Sequence, residues 1–208
     1  MGIITELFHL PSIEYFTAIH GFDEVWLDDQ ERFQKQSFRN RTSILLANKT
    51  EKLSVPVYGG NKNRPYKDIR IDYEQKWLNV HLRGIQSAYG KAPFFEYYFP
   101  YLEKVYLKKL PFLIDMNREL LTVCLTLLRW KISVKLLSER DEKAEMRDLR
   151  GLIQSKVHFT ERDIYSPKPY SQLFGVDFVP NLSIIDLLFC TGPEATAVIA
   201  ASKKMNEQ

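Results

Sequence analysis

The sequence predicts an α/β fold: a mainly parallel sheet from the N-terminal half, with a helical C-terminal half. Three observations predict it. Up to residue 29 the chain reads strand, helix, strand, the βαβ unit of a parallel sheet. Near residue 74 the hydrophobic period changes from that of strands to that of helices. The 208 residues are 45% hydrophobic and 13% aromatic, enough apolar volume to cover such a sheet. A single domain, 1–208, is expected, with a sheet-rich part over 1–73 and a mainly helical part over 74–208.

"IITELFHL" reads as a buried strand that Pro11 stops. Ser12 is placed to cap a helix, "IEYFTAIHG", and Gly21 to end it. "DEVWLDD" is the second strand, adjacent and parallel to the first, because so short a right-handed crossover joins neighbours. "SILLAN" and "KLSVPV" are two further strands, and "DIRID" is a brief one. "VYGGNKNRPY" is a loop, with Gly-Gly and Asn-Lys-Asn as turn chemistry. "EQKWLNVHLRGIQSAYG" places Trp77, Val80, His81, Ile85 and Ala88 on one helical face. "APFFEYYFPYLEKVYLKK" and "PFLIDMNRELLTVCLTLLRW" are helices with Pro93 and Pro111 in their first turns. "KISVKLL" is strand-like, residues 138–150 form an exposed, mixed-charge helix or loop, and 159–181 are mostly irregular. "LSIIDLLFCTG" and "PEATAVIAAS" are the last two helices.

Net charge is only +3, but it is unevenly spread. Residues 30–76 carry eleven Lys or Arg against five Asp or Glu, a surplus that suits an anionic partner or a solvated basic surface. The surplus is too local for the long basic stripe of a nucleic-acid binder, so nucleic acid is disfavoured as a partner. Cys124 and Cys190 lie in apolar runs without CxxC spacing, as reduced core thiols do. No basic leader precedes a long apolar run, and the apolar stretches read as too short to cross a bilayer, so no membrane span and a cytoplasmic location are expected.

Standard fingerprints are absent. There is no GxGxxG after the first strand, no GxxxxGK[ST] and no GxSxG. The four histidines have no zinc-ligand spacing, and no metal site is expected. Position remains informative, because ligands of parallel sheets bind outside the carboxyl ends of the strands. His9 closes the first strand, and Asp28 and Asp29 close the second. Lys35, Arg39, Asn40 and Arg41 come soon after them. Imidazole, carboxylate and cation can thus meet at one rim, where arginine forks bind phosphate and carboxylates orient a hydroxyl or amine or hold Mg²⁺. The plainer alternatives are aspartates that cap the next segment, arginines that brace those aspartates, and His9 and His81 as core histidines.

The stretch "HLPSIEYFTAIHGFDEVWLDDQERFQKQSFRNRTSI" resembles the opening of the WbqC-like protein family. Leu10-Pro11 and Tyr15-Phe16 fit its first pattern. Asp28 and Asp29, then Lys35, Ser37, Phe38, Asn40 and Arg41, fit its second. "LSVPV", "KDIRID", "WLNVHLRGIQSAYGKAPFFEYYFP" and "NLSIIDLLFCTGPEA" extend the likeness. The chain departs from the pattern at Leu7-Phe8, which replace Gln-Pro, at His9, which replaces a tyrosine, and at Glu14, which replaces a glycine. A Ser-Gly-containing segment of longer members is compressed into residues 138–165.

The resemblance implies a cytoplasmic step in bacterial surface-polysaccharide (O-antigen) biosynthesis, with aminoacyl (glycine) transfer to a nucleotide-linked amino sugar. His9, Asp28, Asp29 and His81 are then the candidate catalytic residues. Tyr15, Lys35, Arg39, Asn40, Arg41 and Trp77 are the candidate substrate-binding ones. The partner would be a phosphate-bearing small molecule such as a nucleotide sugar. Such a transfer needs an activated carboxyl, which ATP with Mg²⁺ supplies by adenylation. The alternative is a non-catalytic nucleotide or sugar-nucleotide binding protein.

Overall fold

The computed structural model describes residues 1–59, 64–140, 146–175 and 177–204. The Asn-Lys-Asn turn and Lys62, residues 141–145 of the mixed-charge segment, and the last four residues lie outside the described residues. Four parallel strands form the main sheet in the order β5-β2-β1-β6. β1 (Gly2–Thr5) and β2 (Glu24–Leu27) pair in register Ile3↔Val25, joined by α1 (Ile13–Ile19). The expected βαβ unit is therefore present. Gly21, at φ +90°, turns the chain out of α1, a conformation that glycine adopts without a Cβ penalty.

The outer strands come from the later chain. β5 (Ser133–Leu136) pairs with β2, and β6 (Arg147–Asp148) pairs with β1. "SILLAN" and "KLSVPV" are strands too, but they make a separate antiparallel hairpin, β3 (Arg41–Leu45) and β4 (Thr50–Ser54), off the main sheet. The four-residue link between them is long enough for a hairpin and too short for a parallel crossover. "DIRID" does not form a strand. Residues Tyr66–Asp68 make one 3-10 turn, and Arg70 and Ile71 form only isolated bridges, to Phe112 and Val57.

Helices α2 (Trp77–Tyr89), α3 (Phe95–Leu107) and α4 (Leu113–Leu127) are present, and α2 buries Trp77, His81, Ile85 and Ala88 as expected, but Val80 lies off that face and is exposed. Pro93 and Pro111 precede the N-cap residues rather than occupying the first turns. α5 (Ile184–Thr191) lies at the centre of the core, where Ile184, Ile185, Leu187, Leu188 and Phe189 are fully buried. Together with α6 (Ala195–Ala201) it makes an apolar window, Ile184–Ala201, long enough by composition to cross a membrane, contrary to the expectation from the sequence. Half of that window is buried within the protein, and Gly192 breaks it at φ +54°. A Cβ at Gly192 would lie 2.5 Å from the Phe94 ring, so this turn requires glycine. These features are those of core helices.

Candidate functional site

The site is built from the loops that leave the carboxyl ends of β1, β2 and β6. Glu6 comes directly after β1, and its Oε1 accepts a hydrogen bond from the Gly151 amide at 2.8 Å. That bond ties the loop after β1 to the loop after β6. Across the same space runs the segment after β2, residues 34–39. Together they enclose a cleft of about 790 Å³ whose walls include Glu6, Phe8, Lys35, Arg39, Gln154 and Lys156. This is the size of a small-molecule pocket, at the place where parallel sheets bind ligands.

The cations of the cleft differ in kind. Lys35 and Lys156 are exposed. Arg39 is buried, and its Nε donates to Glu31 Oε1 at 2.7 Å while its second nitrogen meets Glu31 Oε2. Glu6 Oε1 stands 3.7 Å from the same guanidinium. Burial works against the Arg39 charge, but the Glu31 fork outweighs it and raises its pKa above the usual value. Arg39 is thus a buried, compensated charge, and the two lysines are the solvent-exposed ones. Arg41, the first residue of β3, stands beside two smaller cavities, and its Nε is buried without a hydrogen-bond partner among the described residues.

The loop after β1 is held rigidly. Leu10 takes a left-handed φ of +41°, fixed by hydroxyl groups of Thr42 and Ser183 that donate to its carbonyl at 2.8 and 2.9 Å. The His9 amide donates to the Phe38 carbonyl at 2.8 Å, which fastens this loop to the one after β2.

The structure places the other candidate residues beside the cleft or beneath it. Asp28 is buried; its Oδ1 accepts from the Gln30 and Glu31 amides at 3.1 Å each and its Oδ2 from Arg150 at 2.8 Å. Asp29 is buried as well, its carboxylate accepting from the Ser138 amide and hydroxyl at 3.0 and 2.7 Å and from Gln30 at 2.8 Å. Burial opposes ionisation of Asp29, but the Ser138 bonds prevail and lower its pKa. With these oxygens engaged, the pair does not fit the holding of Mg²⁺. Neither aspartate is braced by Arg39 or Arg41.

His9 is fully buried under the cleft. Asn117 uses its amide nitrogen to donate to the Arg39 carbonyl and the Tyr66 hydroxyl, both at 2.7 Å. Its Oδ1 is therefore the acceptor for His9 Nδ1 at 2.8 Å, so that nitrogen carries the hydrogen. Nε2 then accepts from the Tyr106 hydroxyl at 3.2 Å. Burial lowers the His9 pKa to about 4, against the Asn117 bond, so the ring is neutral near pH 7. His81 lies on the buried face of α2 with Trp77, their ring centres 4.9 Å apart. Burial, with His9 nearby, lowers its pKa to about 3. His81 Nδ1 and Trp77 Nε1 have no hydrogen-bond partner among the described residues. Tyr15 is buried and donates to the Glu6 carbonyl at 3.2 Å, and the Asn40 side chain donates to the Val55 carbonyl at 2.9 Å.

Of the candidates from sequence, Lys35 and Arg39 line the main cleft and Arg41 its neighbours. His9 touches one of these smaller cavities, and the rest form the supporting layer. Sequence reasoning missed Glu6, Glu31 and Lys156. Glu6 was within reach: it is the first residue past β1, but the apolar run continues to Leu10 and hides the strand's end. Lys156 carried no signal, because nothing in "RD" marks β6 as a neighbour of β1. Among the described residues, no group of three or more His, Cys, Asp or Glu side chains is gathered as a metal site would be.

A parallel α/β domain with a cationic cleft at its strand ends is the class that fold and site define. The chain belongs to the WbqC-like protein family, whose model matches residues 8–161 and 153–198. It is also similar to a protein of Mycobacterium tuberculosis (strain ATCC 25618 / H37Rv) described as "Uncharacterized protein Rv1507c". The two are 26% identical over 216 residues, which covers 90% of this chain and 92% of that one. No solved structure matches significantly.

Proposed function

We propose that the cleft binds a phosphate-bearing small molecule such as a nucleotide sugar. We further propose that the chain is an aminoacyl transferase, with glycine as the amino acid, acting on a nucleotide-linked amino sugar of bacterial surface polysaccharide. One observation carries this reading: Lys35 and Lys156, from loops after β2 and β6, border one cleft outside the carboxyl ends of β1 and β6. Among the described residues neither lysine has an ion-pair partner, and two such ammonium groups on one cleft suit a diphosphate. The Phe8 and Phe38 rings, 5.6 Å apart, supply an apolar wall for a base or sugar, and Gln34 and Gln154 supply amides for its hydroxyls. In the transfer the amine nitrogen bonds to the acyl carbon of the glycyl adenylate, the acyl–phosphate bond breaks with AMP leaving, and the nitrogen gives up a proton. Glu6 is the carboxylate at the cleft wall that can take it.

A second reading, a non-catalytic nucleotide or sugar-nucleotide binding protein, is favoured by one observation. His9, Asp28 and Asp29 spend their polar atoms on protein partners, and His81 is buried outside the cleft. Thermal melts with nucleotides, nucleotide sugars and amino acids test the binding. Mass spectrometry of mixtures with ATP, glycine and the amino sugar nucleotide tests the transfer. Stabilisation with a glycyl product supports the transferase, stabilisation without product supports the binding protein, and no stabilisation by any phosphate-bearing ligand refutes both.

A further inference from the structure

Beside the main cleft lies a pocket of about 80 Å³, and the two share Gln36, Ser37, Phe38 and Ser155 in their walls. The β3-β4 hairpin provides its other wall. Arg41 and Ser43 are two residues apart on β3, and Lys52 pairs directly with Ser43, so period and register put all three on one face of the hairpin. All three line the pocket.

The charge here is uncompensated. Among the described residues no carboxylate forms an ion pair with Arg41 or Lys52. Arg41 Nε is also buried with its hydrogen bond unmade. A buried guanidinium N–H without an acceptor is costly, so an acceptor supplied from outside would be bound favourably. The contrast with Arg39, two residues earlier, is direct: Glu31 fills that fork.

We propose that this side pocket is a subsite for one compact oxyanion, a carboxylate or a terminal phosphate, held by Arg41 and Lys52. At about 80 Å³ it is small beside the cleft of about 790 Å³, a size that suits one compact oxyanion group. Because the two cavities share a wall, one ligand can fill the cleft and reach into the pocket. The anion's identity as part of the cleft ligand rests on the function proposed above; the anion site itself does not.

The test is a titration of the ¹⁵N-labelled protein with inorganic phosphate and, separately, acetate at constant ionic strength, monitored by amide shifts. Saturable shifts at Ser43, Lys52 and Ser155 are expected. Preference for acetate or for phosphate tells which oxyanion the subsite takes. Arg41→Gln should weaken this binding about tenfold or more, the order of a charged hydrogen bond. Lys52→Gln, at an exposed position, should weaken it too if Arg41→Gln fails to fold, which the spectrum itself reports. Lys35→Ala should leave these shifts intact while abolishing any at the main cleft, so the two sites can fail separately. Uniform, non-saturating shifts at Ser43, Lys52 and Ser155, or equal affinity in both pocket variants, would overturn the proposal.

Discussion

Arg39 and Glu31 form a two-pronged pair on the wall of the cleft, the arginine donating through Nε at 2.7 Å and through its second arm to the other carboxylate oxygen. This contact engages one edge of the guanidinium, with Glu6 3.7 Å away. Arg39→Lys keeps the charge and loses the fork. It is expected to lower stability by about 1–3 kcal/mol, the order of a charged hydrogen bond, with ligand affinity of the folded protein little changed. Urea denaturation beside calorimetric titration checks this. Unchanged stability with a tenfold affinity loss would mean that the arginine binds ligand directly.

Stability should fall with acid through His9. Its pKa is 6.5 when unperturbed and about 4 in the fold. Between those values the unfolded chain binds a proton that the folded chain does not, so lowering the pH favours unfolding. The full effect below the folded pKa is on the order of 3 kcal/mol. His81, lowered to about 3, extends the loss in the same direction. Urea midpoints at about pH 7 and pH 4.5 should separate less in His9→Gln than in the wild type. Equal separation would show that His9 is not buried neutral.

Glu14 is fully buried against Arg162. The arginine donates through Nε at 2.7 Å and a terminal nitrogen at 2.6 Å, and Asn181 adds a bond at 3.1 Å. The buried carboxylate thus has a buried cationic partner. Arg162→Met should cost about 3–5 kcal/mol by leaving the carboxylate unpaired, and Arg162→Met with Glu14→Leu should recover much of it. Thermal melts of the single and double variants decide. No recovery in the double variant would argue against an electrostatic cause.

The cysteines are expected to be inert. Burial raises both Cys124 and Cys190 to about 12, so little thiolate exists near pH 7. Cys124 is fully buried and should react with a thiol reagent only on unfolding, while half-buried Cys190 should react slowly. Rapid labelling of Cys124 in the native protein would contradict its place in the core.

The features legible in the sequence were those set by local pattern. The βαβ unit was readable because "DEVWLDD" is an apolar run ending in aspartates, and α2 because Trp77, His81 and Ile85 recur at four-residue spacing. The pairing of β3 with β4 off the main sheet was not readable, since a strand pattern does not name its partner. β6 is two residues long and has no pattern at all. The rim after β2 was readable by the strand-end rule, and Lys35 and Arg39 do line the cleft. That Arg39 is engaged by Glu31 and Arg41 is not depends on side-chain directions that spacing does not fix. Lys156 joins them only because the fold brings β6 beside β1.

The most direct measurement is a calorimetric titration of the wild type and of Lys35→Ala/Lys156→Ala with a nucleoside-diphosphate amino sugar. Both lysines are exposed, so the variant should fold normally. Saturable binding by the wild type, weakened about tenfold or more in the variant and by added salt, is the expected result. Absence of binding by the wild type, or equal affinity in the two proteins, would contradict a phosphate site in the cleft between β1 and β6.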